Sequence, residues 1–218
     1  MTLTASEIET AADGLNLLYC SDFDSPSIGL PIPVEEIAAE VERQLNAFTD
    51  AFHEPPDFLD GHHHVHQLPK IRSIIVSALA RWRTEKGIYI RACNDRFCAI
   101  ARRQVSVGTA LSIGIFGPAM RRAAAHAGIP TNTGFSGVYD FSGPTAYHDV
   151  FPKFLNALRP RSLIFCHPGM ADEELRQRDS LVERREDELG YLRSDKFRTL
   201  LESRRVVLHR FEDTDPQT

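Results

Sequence analysis

Pro55-Pro56-Asp57-Phe58-Leu59-Asp60-Gly61-His62-His63-His64-Val65-His66-Gln67-Leu68-Pro69 places a double break, a short apolar run, a turn, four histidines and another break in one stretch. Proline removes a backbone donor and fixes φ, so both ends of this stretch punctuate the chain. Upstream, Val34, Ile37, Val41, Leu45, Phe48 and Phe52 recur at helical spacing. Pro33 sits at the start of that pattern and Glu35 and Glu36 lie near the positive end of the helix dipole. Downstream, Ile71, Ile74, Ile75, Ala78, Leu79 and Trp82 mark one face of a second helix, closed by Gly87. Between two helices, Phe58-Leu59 reads as a strand that ends in a histidine-rich loop.

The alternation continues outward from there. Ile88-Tyr89-Ile90 reads as a strand, a helix lies within Val105 to Ala127, and Phe135 to Phe141 is extended. A helix near Tyr147 to Leu158 precedes the apolar strand Leu163-Ile164-Phe165-Cys166. Helical residues from about Leu181 to Leu201 lead to a last strand, Val206-Val207-Leu208. Strands joined by helix-length connections can pair only in parallel, which gives an α/β fold, either an open sheet or a β/α barrel. The 218 residues suit one domain over 1–211, and the polar segment 212–218 reads as a disordered tail.

Composition narrows the function classes. Hydrophobic residues make up 42% and charged residues 25%, as in an ordinary globular protein. With a net charge of -5 there is no basic excess to meet phosphates, so nucleic acid and anionic membranes are poor partners and a small polar substrate fits better. No run of about eighteen apolar residues and no leader pattern is present, so the cytoplasm is the default compartment. Cys20, Cys93, Cys98 and Cys166 lack zinc-ribbon spacing and read as reduced thiols.

Reactive groups in α/β folds gather where strands give way to loops, and two junctions stand out. The first is Asp60 to His66, with four of the nine histidines. If it stays extended, His62, His64 and His66 project to one side and His63 to the other. Two or three imidazoles can then meet one divalent ion, with Asp60 as a carboxylate donor or as the group that orients an imidazole. The plainer alternative is a polar loop that happens to be rich in histidine. The second junction is Cys166-His167-Pro168-Gly169, where the immediate turn leaves His167 at the mouth of the sheet as a general acid or a structural histidine. Arg91 and Tyr139 are candidates for holding substrate, with an ion pair and a turn as their respective alternatives. Arg184, Arg185, Glu186 and Glu188 read as a solvated helical face.

These blocks, in this order, resemble the YdjC-like carbohydrate deacetylases: Phe58 to Pro69, then Ile90-Arg91, then Phe165-Cys166-His167-Pro168-Gly169 with Asp172, then Arg185-Glu186-Asp187-Glu188-Leu189. The resemblance runs from about residue 1 to 211. It implies a β/α barrel and a hydrolase that removes acetyl groups from N-acetylated sugars such as chitooligosaccharides. It also implies magnesium or zinc held by one aspartate and two histidines. On this chain the histidine block then supplies one ligand, with His62 and His64 as the leading choices. His167 becomes the acid for the leaving amine, and imidazoles from the two loops are expected to meet around one cation.

The family's first strand ends in an Asp-Asp pair, and no Asp-Asp occurs in these 218 residues. Met1-Thr2-Leu3-Thr4 looks like the end of a Leu-Thr-Leu-Thr stretch that a further family histidine precedes. The expectation is therefore a barrel incomplete at its N-terminal side, from a start read too far downstream or from a truncated gene. Weak deacetylase activity and strand edges that favour a homo-oligomer would follow. The alternatives are a non-catalytic carbohydrate- or metal-binding relative and a thiol hydrolase using Cys166 and His167.

Overall fold

A computed structural model describes residues 33–82, 87–178 and 182–210. They fall into two compact units. One runs up to Ala92 and includes Phe116–Thr131; the other comprises Cys93–Ile115 and the residues from Asn132 on.

In the first unit, helix α1 (Val34–Phe52) starts after Pro33 and ends where His53 turns left-handed and donates its N–H to the Thr49 carbonyl. Its buried residues are Val41 and Leu45. They meet Ile71, Ile75, Ala78 and Leu79 of α2 (Pro69–Arg81), whose spacing of four, three and one places them on one face. The Trp82 indole at the end of α2 donates to the Glu42 carboxylate at 2.9 Å, pinning the two helices together at their rim. Strands β1 (Phe58–Leu59) and β2 (Tyr89–Ile90) pair in parallel, Phe58 opposite Tyr89 and Leu59 opposite Ile90. Thr131 bridges to the other side of Ile90, also in parallel. Helix α5 (Gly117–His126), which comes later in the chain, adds Met120 and Ala124 to the same core.

The second unit contains α3 (Phe97–Arg103), α4 (Val107–Gly114), β3 (Phe135–Ser136), α6 (Tyr147–Phe154), β4 (Leu163–Ile164), α7 (Glu173–Arg178), α8 (Val182–Leu192) and α9 (Asp195–Ser203). β3 and β4 pair in parallel, Phe135 opposite Leu163 and Ser136 opposite Ile164. Just past β3, Gly137 has φ +104°, and a side chain there would collide with the backbone carbonyl of Phe165. Only glycine lets the two segments approach so closely. Tyr139, Tyr147, Phe151, Phe154, Leu155, Phe197 and Leu201 form the core of this unit. Its rings meet edge to face or tilted, as in Phe151 on Phe197 at 5.2 Å and 77° and Tyr139 on Tyr147 at 5.5 Å and 50°. The buried Asp95 carboxylate accepts from Arg103 at 2.6 Å and Arg159 at 3.2 Å.

The mixed α/β class and parallel pairing match the sequence. The described parallel strands form two pairs, which do not by themselves close a barrel. Several expectations need correction. The helix expected within Val105 to Ala127 is two helices, because Gly114 ends one and Pro118 opens the next. The helical region near the C-terminus also breaks, at Ser194, whose hydroxyl caps α9 by accepting from Phe197 N–H. Val206-Val207-Leu208 forms no strand among the described residues, and Val207 and Leu208 are exposed. The extended segment Phe135 to Phe141 is a ladder only at its first two residues. Cys20 and the tail 212–218 lie outside the described residues.

Candidate functional site

In the first unit, the turn after β1 is built around a buried histidine. The Gly61 N–H donates to His66 Nδ1 at 3.1 Å, and the His66 Nε2 lies 2.9 Å from the Arg91 carbonyl. A carbonyl only accepts, so Nε2 carries the proton and the ring is neutral. Burial, reinforced by the Arg91 cation, pushes the His66 imidazole down to about 4, against the smaller pull of Asp60 and the two backbone bonds. Gly61 is required here, because a Cβ would come within 2.7 Å of His66 Nδ1.

Arg91 follows β2 and is almost fully enclosed. Its Nε donates to Asp60 Oδ1 at 2.6 Å, Nη1 to His64 Nδ1 at 2.8 Å and Nη2 to the Gly61 carbonyl at 3.3 Å. Nη2 also closes an ion pair with the same Asp60 oxygen. One planar cation thus ties the strand end, the turn and an imidazole together.

The histidine block is therefore not extended. His62–Gln67 is a 3-10 turn in which His63 (φ 49°) and His64 (φ 62°) are left-handed, and the His62 and His63 rings stack at 4.1 Å. The expected projection of His62, His64 and His66 to one side is lost, because the bonds to His66 and Arg91 curl the backbone back on itself. This bears on a metal. The Nδ1 lone pairs of His64 and His66 already accept hydrogen bonds, and the other nitrogen of His66 donates one. Among the described residues, no group of three or more His, Cys, Asp or Glu can hold an ion. The described residues do not fit a divalent ion in this arrangement.

In the second unit, the chain leaves β4 through Phe165 and Cys166 to His167. That ring lies edge-on to Phe165 at 4.1 Å and to Phe141 at 4.9 Å, with about a quarter of the side chain exposed. Glu188 of α8 reaches it from below, fully buried. Its Oε2 accepts the His167 backbone N–H, and its Oε1 accepts the Tyr139 hydroxyl at 2.8 Å. His167 Nδ1 lies 3.9 Å from Oε1, beyond hydrogen-bond range. Both Nδ1 and the Tyr147 hydroxyl are buried without a partner among the described residues. Burial and then Glu188 push the Tyr139 phenol far above its ordinary range. The same two causes push the Cys166 thiol up to about 11. Such a thiol stays protonated at neutral pH, the reverse of nucleophile activation.

The profile of the family described as "YdjC-like protein" matches residues 5–203. The chain belongs to this family. A chitooligosaccharide deacetylase of Enterobacter sp. (strain 638) is 30% identical over 150 residues, 67% of this chain and 48% of that protein. Another, from Klebsiella pneumoniae (strain 342), is 34% identical over 148 residues, 66% of this chain and 48% of its own length. The chain thus spans about half the length of the curated relatives it matches. A solved structure from Enterococcus faecalis V583, named for cellobiose-phosphate cleavage, aligns with a TM-score of 0.57 at 18% identity. The alignment covers 83% of this chain and 60% of that one, a likeness of fold.

Within this YdjC-like chain the structure gathers Asp60, His64, His66 and Arg91 around one guanidinium, and Tyr139, His167 and Glu188 around one carboxylate. Arg91 and Tyr139, expected to hold substrate, have internal partners. Glu188 was expected on a solvated face and is buried, and Arg184 beside it donates to the carbonyls of Phe141, Gly143 and Thr145. The available signal was spacing, since Glu188 lies three and four residues before Tyr191 and Leu192, both packed on the aromatic core.

Proposed function

We propose that this chain is a carbohydrate deacetylase that hydrolyses the acetamide of an N-acetylated sugar of the chitooligosaccharide type. Membership of the YdjC-like family and the names of the relatives support the substrate class. The observation that carries the chemistry is His167 at the end of a parallel strand. Nδ1 is enclosed while part of the ring stays open, which leaves Nε2 as the nitrogen that can reach a substrate.

In the reaction, water adds to the acetyl carbon, the C–N bond breaks, and the sugar leaves as an amine with acetate as the other product. An amine leaves poorly as an anion, so a proton must reach the nitrogen as the bond breaks. His167 Nε2 is the donor in this reading. Asp60, oriented by Arg91, is the carboxylate that opens the histidine block, and His62 and His63 are its exposed imidazoles. The resemblance implies magnesium or zinc for such a hydrolase, a group that the described residues do not fit.

The occupied lone pairs of His64 and His66 favour a second reading, a carbohydrate-binding relative without catalysis. Acetate release from N,N'-diacetylchitobiose, with magnesium or zinc and then with a chelator, separates the two. The deacetylase reading expects acetate release that falls about 100-fold or more in His167→Asn, the scale of a lost general acid. Saccharide binding by calorimetry with no acetate under any metal supports the second reading and overturns the first.

A further inference from the structure

We infer that Glu188 is a positioning residue that fixes the neutral His167 imidazole with its proton on Nδ1, leaving the Nε2 lone pair facing outward. The catalytic consequence rests on the proposed role of His167; the tautomer itself does not.

Three observations converge on this. The Glu188 carboxylate is fully buried, and a charge so placed must be met by hydrogen bonds or a cation. It accepts two, from the Tyr139 hydroxyl and the His167 backbone N–H, on separate oxygens. These hold the carboxylate at a set distance from the ring that follows that backbone N–H. Second, His167 Nδ1 is buried without a partner among the described residues, and buried polar atoms in folded proteins almost always have one. The acceptor facing it is Glu188 Oε1 at 3.9 Å. Hydrogen bonds at catalytic groups are often long in a ligand-free site and tighten when substrate fills it. Third, Phe141 and Phe165 meet the ring at 79° and 80°, leaving it little freedom to flip and offer Nε2 to the carboxylate instead.

Which nitrogen of a histidine carries the proton is set by what the other atom meets. A proton on Nδ1 satisfies the buried carboxylate, and protonation then occurs at the outward Nε2, the position from which it can be delivered. The opposite tautomer would set the Nδ1 lone pair against a buried anion. Tyr139 acts one step further out, by holding the oxygen that faces Nδ1.

Long-range ¹⁵N–¹H spectra of the full chain, recorded where His167 is neutral and assigned with His167→Asn, decide the matter. The expected wild-type spectrum has a pyrrole-type Nδ1 and a pyridine-type Nε2. In Glu188→Gln, which keeps the side-chain shape but removes the charge, the majority tautomer shifts to Nε2–H. Tyr139→Phe, which keeps the charge, retains Nδ1–H. A wild-type spectrum dominated by Nε2–H overturns the inference, as does an unchanged tautomer in folded Glu188→Gln. If Glu188→Gln does not fold, the wild-type and Tyr139→Phe spectra still decide, because Nε2–H in either is incompatible with it. Acetate release tests the function separately. Where the wild type is active, Glu188→Gln is expected to lower kcat at least about 10-fold with little change in KM, as when a histidine loses its orienting carboxylate.

Discussion

Around Arg91, the carboxylate of Asp60, the Nδ1 of His64 and both nitrogens of His66 all have partners. Around Glu188, two polar atoms of the same general kind, His167 Nδ1 and the Tyr147 hydroxyl, are buried with none among the described residues. Both clusters include a histidine in the loop that follows a strand of a parallel pair, yet one is closed and the other open. A fully satisfied polar network rigidifies a fold, whereas an unsatisfied buried atom calls for a reason, and a catalytic role is one. The histidine-dense segment, conspicuous in the sequence, is thus the more fully hydrogen-bonded of the two, and the single histidine is the one with a buried nitrogen that no described residue meets.

If that contrast is right, the largest effect comes from opening the closed network. Arg91→Ala strands Asp60, leaves the Gly61 carbonyl with the His64 N–H alone and removes the donor to His64 Nδ1. Loss of one partner from a buried pair costs about 3–5 kcal/mol, with the low end expected because Asp60 is about one-third exposed. Urea denaturation measures it, and a loss below about 1 kcal/mol would show that the guanidinium is not the hub.

Acid opens the same network without mutation. His66 is neutral in the folded chain down to about 4 and takes up a proton near 6.5 once unfolded. The unfolded state therefore binds more protons between those values, and folding stability falls as pH drops from about 6.5 to 4. The slope approaches 1.4 kcal/mol per pH unit, or about 3 kcal/mol in all. Comparing urea midpoints at pH 7 and pH 4.5 in the wild type and in His66→Gln isolates this contribution. Equal pH dependence in both proteins would sink it. A smaller cost, about 1–3 kcal/mol, is expected for Gly61→Ala, whose added methyl meets both the ring and the backbone of His66.

The two clusters were unequally legible. Phe58-Leu59 and Leu163-Ile164 show as strands because breaks flank short apolar runs, and α1 and α2 because their apolar residues keep one face. The shape of the histidine block did not show. Its left-handed residues depend on Arg91, 27 residues from His64 in the chain, and local alternation contains no trace of that bond. Glu188 was hidden for a similar reason, since a glutamate within a charged helix looks solvated until its partners, 21 and 49 residues away, are in place. The apolar run Val206 to Leu208 erred the other way. A strand needs a neighbour to take its hydrogen bonds, and none of the described residues supplies one.

The smallest effect tests the open cluster. The Tyr147 hydroxyl is buried, unpartnered and near Glu188, while its ring packs on Phe151, Phe154 and Tyr191. Tyr147→Phe removes only the oxygen and leaves every ring contact. An unsatisfied buried hydroxyl carries a desolvation cost with no bond to offset it, so its removal should leave stability unchanged or raise it by up to about 1 kcal/mol. A loss of about 1 kcal/mol or more in the denaturation midpoint analysis would mean that the hydroxyl does have a partner in solution, a water or Glu188 itself. The cluster would then be closed like the one around Arg91, and the contrast between the two would disappear.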